Sequence, residues 1–485
     1  MTPTTTVPTL APTAAAAFAS NPIVEESIQR IVSALREAQR SITGARPPRA
    51  ELKETYKSYL DRVAAAKGKP ALFPYVGSGV GNGPLVELAD GSVKWDLING
   101  IGVHMFGHSE PDLVATALRA ACGDTVMQGN LQFNHDSTEF AELLLKEAAR
   151  SSRIKHAFIS NSGAMANESA LKVCFQRNAP ASRVIAFENC FMGRSTTLAQ
   201  IGDSAAGRVG VPLNVLVDYM PFYDSKLGQA SIEAAKYRLR QYIDRYPGQH
   251  ACFIVEPVQG EGGFNIAPRE FLIPLLQMAR EAGIGIWFDE VQSFGRTETM
   301  FHFEQLGLGE YVDVVTLGKM SQACACLFTE EYAPKPGLLS GTFVASTVAL
   351  NVGRRILERL RDGGYYGANG KIAKLQQAYR THASALIEKH PEWFPPVPHY
   401  AGGSYPKSDL VTGVGGMMRL TPFGGDKAKV NRLMHVLFEE GVISFYCGHG
   451  PFHLRFLAPI GVMQPEHFNE VFEIVERAMA RVAAE

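Results

Sequence analysis

The chain has 485 residues, which is enough for two or three domains around a large core. Its 47 basic and 48 acidic side chains nearly cancel, and no apolar run has the length of a membrane span, so the sequence predicts neither a nucleic-acid nor a membrane partner. The seven cysteines show no CxxC pair and no Cys/His spacing typical of zinc, which favours a reduced, cytoplasmic compartment and no structural metal.

The amino-terminal part begins with a tail, residues 1–22, that has no charged side chain and therefore predicts disorder or an arm lying on a partner subunit. Helical spacing of apolar residues predicts a helix over Val24–Arg40, and a second, charged helix is expected to end at Ala66. From Gly77 the sequence is rich in glycine. There, Asp90-Gly91 lies between two strand-like runs, which is typical of a β-hairpin.

A short predicted strand, His156–Ser160, leads into a small polar turn, Asn161–Ala164, which opens a helix. The first backbone N–H groups of a helix are unpaired and its dipole favours an anion, so this turn is suited to holding a phosphate. Gly163 and Ala164 add no bulk there, and the Ser162 hydroxyl can donate a further hydrogen bond. For this turn taken alone, an ordinary helix cap is the alternative interpretation.

Strand-length apolar runs then alternate with longer connections, a pattern that predicts an α/β fold with a mostly parallel sheet. These runs are Val184–Phe187, Val215–Tyr219, Ala251–Val255, Ile284–Phe288 and Val312–Leu317.

The segment Gly283–Lys319 carries the clearest chemical signal, because its two strands are followed by Asp289 and Lys319. The carboxyl ends of parallel strands meet at one sheet edge, so we expect the carboxylate and the amine to converge there. That combination suits a Schiff-base cofactor whose ring nitrogen needs a negative partner, which describes pyridoxal 5′-phosphate (PLP). A buried Asp–Lys ion pair is the alternative, and this segment alone does not decide between the two.

Beyond Lys319, the sequence predicts long helices over Ala345–Arg361 and Lys371–His390, followed by short strands and further helices. This is typical of a separate α+β domain. We therefore expect residues 1–95 to form a tail and a segment packing with the small domain, residues 96–345 the large PLP-binding domain, and residues 346–485 the small domain.

Three blocks carry a family resemblance: EPVQGEGG at 256–263, WFDEVQSFGRT at 287–297 and VVTLGK at 314–319. With them, the chain from about Gly77 onward resembles the class III (ω-amino acid) aminotransferases of PLP fold type I. It is most similar to the lysine 6-aminotransferase and 4-aminobutyrate aminotransferase branch. The resemblance implies a large domain with a mixed, mostly parallel sheet sandwiched by helices, and a smaller α+β domain.

The resemblance also implies roles for individual residues around the cofactor. Lys319 would form the Schiff base and move the proton during catalysis, because a desolvated lysine titrates readily. Asp289 would partner the pyridine nitrogen and Gln292 the phenolic oxygen, while the Ser162–Ala164 turn would hold the phosphate. In the motif SGTF, Thr342 matches a threonine that reaches the neighbouring subunit's cofactor phosphate, which implies a homodimer with active sites at the subunit interface.

The segment ENCFMGRSTT at 188–197 resembles the family's aromatic-His-Gly-Arg motif. Phe191 would then stack on the cofactor ring, and Arg194 would clamp a substrate carboxylate. The sequence departs from the family pattern at Met192, where histidine is common, and at Met165, where such turns carry glutamate. Both departures bear on ring packing and substrate entry rather than on the catalytic groups.

Substrate choice is assigned by the resemblance to Glu261 and to Arg455 in the motif HLRFLAP. In the family, the arginine holds the α-carboxylate of glutamate or 2-oxoglutarate, and the glutamate neutralises it when an ω-amino substrate binds. For an isolated Glu and Arg, a structural salt bridge is the alternative explanation.

The predicted function is therefore the ping-pong transfer of an amino group, from a donor with a terminal amine and a carboxylate, to an oxo acid such as 2-oxoglutarate. The loop containing Thr342 follows Lys319 more closely than that branch leads us to expect, which leaves the exact donor open. PLP racemases, aminomutases and decarboxylases share this scaffold and stay open as alternatives. A non-catalytic PLP-binding regulator is more remote, because it would need an additional effector module.

Overall fold

The computed structural model describes residues 13–127 and 131–485. Residues 1–12 of the predicted tail lie outside this part of the chain, and the rest of the tail includes a short helix, Ala14–Ala19. In the two described ranges, no helix combines the length and the apolarity that crossing a membrane requires.

Several helices begin where an Asn, Ser or Asp side chain accepts a hydrogen bond from the first turn, as at Asn134, Ser162, Ser346 and Asp426. The α-helices are α1 (Ala14–Ala19), α2 (Pro22–Gln39), α3 (Lys53–Lys67), α4 (Asn99–Gly102), α5 (Pro111–Ala121), α6 (His135–Ala148), α7 (Gly163–Arg177), α8 (Thr196–Ile201), α9 (Ala205–Arg208), α10 (Gln229–Arg245), α11 (Arg269–Glu281), α12 (His302–Gln305), α13 (Thr347–Asp362), α14 (Lys371–Lys389), α15 (Lys427–Glu440) and α16 (His467–Ala484). Short 3-10 helices cover Ala50–Leu52, Gly309–Tyr311, Lys319–Ser321, Glu330–Tyr332, Pro391–Trp393, Lys407–Leu410 and Phe423–Gly425.

The strands of the described ranges form the sheets discussed below. They are β1 (Gly77–Asn82), β2 (Leu85–Leu88), β3 (Val93–Asp96), β4 (Val126–Met127), β5 (His156–Ser160), β6 (Arg183–Phe187), β7 (Leu216–Met220), β8 (His250–Val255), β9 (Val258–Gln259), β10 (Asn265–Ile266), β11 (Gly285–Asp289), β12 (Val314–Leu317), β13 (Cys324–Phe328), β14 (Ala345–Ser346), β15 (Val411–Val414), β16 (Met417–Leu420), β17 (Val442–Ile443), β18 (Phe445–Cys447) and β19 (His453–Leu457).

The central sheet has seven strands in the order β5-β13-β12-β11-β8-β6-β7. β13 runs antiparallel to both neighbours, and the other adjacent pairs are parallel. Strands β8, β11, β12 and β13 are buried at every residue, which explains why they read as continuous apolar runs rather than alternating ones. The predicted α/β class with a mixed, mostly parallel sheet is confirmed.

Helices cover both faces of this sheet, because alternate strand residues enter two different apolar clusters. Trp287 and Val314 pack with α7, whereas Phe288 and Val315 belong to the cluster that contains α6 and α11. The alternation of side chains along each strand therefore divides the core into two layers.

Element ends differ from the predicted ones where a cap or a pairing intervenes. The first long helix begins at Pro22 instead of Val24, because Asn21 caps it and proline suits the first position. The helix predicted from Ala345 begins at Thr347, since Ala345–Ser346 pairs with β4 as a strand. The predicted Asp90-Gly91 turn joins β2 to β3, and Gly91 has the left-handed φ of 75° that such a turn requires.

Besides the central sheet, the described residues form two two-stranded sheets, β9 with β10 and β4 with β14, and two four-stranded sheets. β1, β2 and β3 form a sheet whose fourth strand is β17, so a strand from the carboxyl-terminal part pairs in parallel with β3. The other sheet has the order β15-β16-β19-β18, and helix α14 contacts its strands β15 and β16. This second sheet carries Arg419 on β16 directly opposite Arg455 on β19.

Candidate active site

The adjacent parallel strands β11 and β12 bring Asp289 and Lys319 to the same sheet edge. Asp289 ends β11 and pairs in register with Thr316 of β12, and Lys319 follows three residues later. Lys319 has a left-handed φ of 55°, which is uncommon for a residue other than glycine, and it begins a short 3-10 helix. Backbone strain of this kind is concentrated at functional sites.

Asp289 is a buried carboxylate held by two donors. Asn167 donates from Nδ2 to Oδ2 at 2.7 Å, and the Val291 N–H donates to Oδ1 at 2.9 Å. Burial raises the pKa of Asp289 to about 6, although both hydrogen bonds and the charge of Lys319 act in the opposite direction. The two hydrogen bonds thus fix the carboxylate in place, but its negative charge is still destabilised by burial and would be stabilised by a positively charged partner.

Burial also perturbs Lys319, whose pKa it lowers. The charge of Glu261 opposes this shift, while Arg455 adds to it. Within the described residues, no ion pair joins Lys319 to Asp289, so the simple Asp–Lys ion pair considered above is not what the structure contains. A lysine that is buried and loses its proton easily is suited to nucleophilic and proton-transfer chemistry.

The turn before α7 presents backbone N–H groups beside these residues. Ser162 is extended, with φ −157°, and its hydroxyl oxygen accepts a hydrogen bond from the Met165 N–H at 3.2 Å, as in an ordinary cap. In the described part of the chain, the N–H groups of Gly163 and Ala164 have no acceptor. The cap interpretation and the phosphate interpretation are therefore compatible, because capping uses only the third N–H of the helix.

Glycines allow three segments to meet behind this turn. A Cβ at Gly163 would lie 2.7 Å from Cγ1 of Val291, and one at Gly318 would lie 3.4 Å from the same atom. A Cβ at Gly193 would approach that of Ala164 to 3.1 Å, and Gly193 has a φ of 125°. The phosphate turn, the segment after Asp289 and the Phe191–Arg194 loop thus pack so closely that a side chain at these glycines would clash with its neighbours.

Three polar residues that the sequence interpretation did not single out position the Phe191–Arg194 loop. Asn167 donates from Nδ2 to the Met192 carbonyl at 2.8 Å, in addition to its bond with Asp289. Glu256 accepts from the Phe191 N–H at 2.9 Å, and Glu168 accepts from the Ser195 hydroxyl. In the sequence, Asn167 and Glu168 are ordinary members of a helix, and only the fold shows which way they face.

The side chains of that loop differ in exposure. Phe191 is half-buried and Arg194 is exposed, with its guanidinium carbon 5.4 Å from the Phe191 ring centre. Met192 is buried in the apolar cluster beside α7, whereas Met165 is 47% exposed. Of the two departures from the family pattern, Met192 therefore packs in the core and Met165 lies at the surface.

Gln292 and Thr342 lie in contrasting places. Gln292 is buried, its side chain lies against Gly260, and its Oε1 atom has no hydrogen-bond partner among the described residues. Thr342 is exposed, next to Phe343, whose carbonyl accepts a hydrogen bond from Asn161 at 3.2 Å. The loop of Thr342 is thereby anchored beside the phosphate turn with the threonine itself at the surface.

Glu261 and Arg455 form a two-pronged pair, with Nη1–Oε1 2.8 Å and Nη2–Oε2 3.1 Å. Arg455 is fully buried, and its guanidinium carbon lies 5.2 Å from the Phe445 ring centre. Burial alone would raise the pKa of Glu261, but the charge and hydrogen bonds of Arg455 outweigh it, so that pKa is lowered. The charges of both members of this ion pair act on the amine of Lys319, Glu261 raising its pKa and Arg455 lowering it.

These residues fit PLP. The cofactor has an aldehyde, a pyridine nitrogen, a phenolic oxygen and a phosphate, which call for an amine, a carboxylate, an amide and unpaired N–H groups. Lys319, Asp289, Gln292 and the Ser162–Ala164 turn supply them. The buried amide oxygens of Gln292 and Asn167 lack partners among the described residues, as expected around a site built for a polar molecule.

Comparison with known protein families shows the family of the chain. Residues 66–479 match the family model "Aminotransferase class-III". The chain belongs to the class III aminotransferases. It is accordingly an enzyme that transfers amino groups between amino and oxo acids with PLP as cofactor, and the prediction of a PLP-dependent aminotransferase is confirmed.

Individual relatives cover most of the chain. A 2-aminoadipate transaminase of Pseudomonas putida is 28% identical over 409 residues, which are 81% of this chain and 93% of that protein. An acetylornithine aminotransferase of Mycolicibacterium smegmatis is 30% identical over 320 residues, which are 64% of this chain and 76% of that protein.

Solved structures share the fold of this class III aminotransferase. A lysine aminotransferase of M. tuberculosis has a TM-score of 0.73 at 21% identity and covers 87% of this chain and 99% of its own. An ornithine aminotransferase of Toxoplasma gondii has a TM-score of 0.71 at 20% identity and covers 87% of this chain and 94% of its own.

Proposed function

We propose that this class III aminotransferase takes a terminal amino group from a donor that also carries a carboxylate, and passes it to an oxo acid such as 2-oxoglutarate by a ping-pong reaction. The observation that carries the proposal is the Glu261–Arg455 pair beside Lys319. Arg455 can receive the α-carboxylate of the oxo acid when Glu261 moves away, and Glu261 neutralises it when the terminal amine binds instead.

The roles proposed for the cofactor-binding residues follow from their positions. When bound, PLP supplies an electron sink for the substrate carbon that loses its proton. Lys319 takes and returns that proton at Nζ, since its lowered pKa makes the neutral amine accessible. Asp289 keeps a positive charge on the ring nitrogen, Gln292 binds the phenolic oxygen, and Ser162, Gly163 and Ala164 bind the phosphate.

Substrate orientation is assigned to the other charged and aromatic groups. We infer that Phe191 packs on the cofactor ring, because Glu256 fixes its N–H and the ring is only half-buried in the described chain. Arg194, exposed above the same ring, is positioned to hold the distal carboxylate of the donor.

We further propose a homodimer in which Thr342 reaches the neighbouring active site. Large apolar side chains are exposed around this loop: Leu131 by 87%, Phe133 by 69%, Phe343 by 48% and Met165 by 47%. Pairing of β4 with β14, and the Asn161–Phe343 hydrogen bond, bring their segments together. Exposed apolar side chains on segments that meet beside the phosphate turn are what a subunit interface would cover.

The three-part division at residues 95 and 345, and a cytoplasmic location, also stay proposals. The division is supported by β17, which completes the amino-terminal sheet and so ties residues 77–96 to the carboxyl-terminal part. The location is supported by the seven unpaired cysteines, six of them buried.

A donor screen tests the proposed function. Lysine, ornithine, N-acetylornithine, 4-aminobutyrate, a diamine and an aromatic amine are each added to the PLP-loaded enzyme, and the visible cofactor absorbance is followed. We expect donors with a terminal amine and a carboxylate to bleach the band and, with 2-oxoglutarate, to yield glutamate. An enzyme that forms no glutamate from any donor, yet racemises or decarboxylates an amino acid, would contradict the proposal.

The Lys319→Ala variant tests the catalytic assignment. We expect it to lose at least about 1,000-fold in turnover, because both the covalent attachment and the proton transfer depend on this amine. Lys335→Ala, at an exposed lysine after β13, is the matched control and keeps its activity. Full turnover of Lys319→Ala would rule out the mechanism.

A further inference from the structure

A cavity of about 1040 Å³ lies outside the catalytic site. Its walls come from the segment after β7, from the β9–β10 hairpin and from residues 391–421 and 449–453, whereas Lys319, Asp289 and Arg455 do not line it. Cavities that hold small molecules have volumes of about 300–1,000 Å³, so this one is large enough for an organic ligand.

Arg419 lines this cavity and is a buried cation, 7% exposed, without a carboxylate partner. Its guanidinium donates only to neutral oxygens, those of the Gly263 carbonyl at 2.7 Å, the Asn265 side chain at 3.3 Å and the Asp409 carbonyl at 3.1 Å. Its Nε has no acceptor, and among the described residues no carboxylate lies within the 4.0 Å of an ion pair. Burying a charge without a counter-charge destabilises the folded protein, and a bound anion would offset this cost at Arg419.

The neighbouring arginine shows the contrast. Arg455 lies directly opposite Arg419 on the adjacent strand, so both side chains leave the same face of the sheet. Arg455 is neutralised by Glu261 on the catalytic side, while Arg419 holds the Gly263 carbonyl on the cavity side. The turn between β9 and β10 is therefore the shared wall of the two sites, with Arg455 on the catalytic side and Arg419 on the cavity side.

The rest of the cavity suits a ligand with an apolar body. Its walls include aromatic and proline side chains: Phe222, Phe264, Phe394, Pro395 and Tyr405. Two acidic residues that line it have partners other than Arg419. The Asp224 carboxylate lies 2.7 Å from Nε2 of His399, and the Asp409 carboxylate accepts a hydrogen bond from the Ser225 hydroxyl. Glu188 also lines it, and burial raises the pKa of that carboxyl.

We propose that this cavity is a binding site for a small organic carboxylate with an apolar body, anchored by Arg419 and separate from the catalytic site. The guanidinium supplies the counter-charge, and the aromatic walls bury the apolar part. This proposal does not depend on which amino donor the enzyme uses.

Calorimetric titration of the PLP-loaded enzyme tests it, with 3-phenylpropionate as the probe and the neutral 3-phenylpropionamide as its matched control. We expect the acid to bind at least about tenfold more tightly than the amide. Arg419→Gln is expected to weaken binding of the acid at least tenfold and to leave the amide unchanged. Arg455→Gln removes the guanidinium on the catalytic side and leaves Arg419 in place, so it is expected to keep the binding.

A second variant leaves Arg419 intact and covers the case in which its substitution disturbs folding. Ala234 is an exposed α10 residue that lines the cavity, so Ala234→Trp fills the space and is expected to abolish binding. Ala230→Trp, on the same helix but outside the cavity, is its control and keeps binding. Equal binding of acid and amide, loss only in Arg455→Gln, or no binding up to about 10 mM probe would each overturn the proposal.

Discussion

At the scale of single residues, Asp289 is a carboxylate at a buried strand end, where desolvation raises its pKa to about 6. Asn167 and Val291 hold its two oxygens but do not remove the cost of burying the charge. Residues of this kind are unfavourable for folding without their ligand and are retained because the ligand needs them.

The first prediction is a pH-dependent stability cost from Asp289 in the cofactor-free protein. The folded-state pKa of about 6 exceeds the ordinary value of 3.8, so the folded state binds the proton more tightly and stability falls as pH rises from 3.8 to 6. Asp289→Asn removes the titrating carboxyl and with it this pH-dependent loss of stability. The free energy of unfolding of the variant, minus that of the wild type, is expected to be about 2 kcal/mol larger at pH 8 than at pH 4.5, as measured by urea unfolding at both pH values. An equal difference at both pH values would contradict the shift.

The second prediction separates the two half-reactions at the Glu261–Arg455 pair. Glu261→Gln leaves Arg455 permanently available to a carboxylate, so we expect its single-turnover rate with 2-oxoglutarate to stay within about tenfold of wild type. The rate with a terminal-amine donor is expected to fall by about 100-fold. If the pair were only a structural salt bridge, both half-reactions and the melting temperature would fall together.

At the scale of elements, the amino-terminal end of α7 is where helix, strand and loop meet. The helix supplies N–H groups at its first turn and, one turn later, Asn167 and Glu168, which hold the Asp289 and Phe191 segments. A single helix thus fixes the phosphate turn, the carboxylate and the aromatic loop relative to one another.

The third prediction tests the close packing at this helix end. Gly163→Ala places a Cβ 2.7 Å from Val291 Cγ1, which is too close. We expect a loss of about 1–3 kcal/mol in stability and at least tenfold weaker PLP binding, because the phosphate turn must shift. Val291→Ala in the same chain is expected to restore much of both losses, and Val291→Ala alone is the control. No rescue in the double variant would locate the defect elsewhere.

At the scale of the whole molecule, the seven-stranded sheet has its exposed apolar surface beside one edge strand, β5, where Phe343 is tied to Asn161. The cavity lined by Arg419 lies on other segments, those after β7 at the opposite sheet edge and those of the small-domain sheet. The two surfaces are thus separate, and we assign them different occupants: a second copy of the chain and a small carboxylate.

The fourth prediction concerns the subunit interface. Phe343→Asp combined with Phe133→Asp places two charges in the apolar surface, so we expect the dimer to dissociate at least about 100-fold more readily and activity to fall with it. Tyr237→Asp is the control, because Tyr237 is 66% exposed on α10, the helix that packs on the opposite edge strand. Sedimentation velocity gives the oligomeric state. A double variant that remains dimeric would place the interface elsewhere.

Much of the fold could be predicted because local patterns are strong where strands are fully buried. The strands that precede Asp289 and Lys319 are mostly apolar and are buried at every position, as a covered parallel sheet requires, and their order along the chain gives the α/β class. The functional residues of the motifs could also be predicted, because a lysine at a strand end supplies an amine and a Ser-Gly-Ala turn at a helix start supplies unpaired N–H groups. Helix ends were less certain, because caps such as Asn21 compete with neighbouring pairings.

By itself, the sequence determined the fold class, the family and the residues that carry the chemistry, because those depend on side-chain type and local order. Only the tertiary structure decided which helix residues face the site, as with Asn167. It also decided that Asp289 and Lys319 form no ion pair, and that Arg419 stands beside Arg455 without a carboxylate of its own. These facts depend on which distant segments meet, and desolvation and pairing act only once they have met.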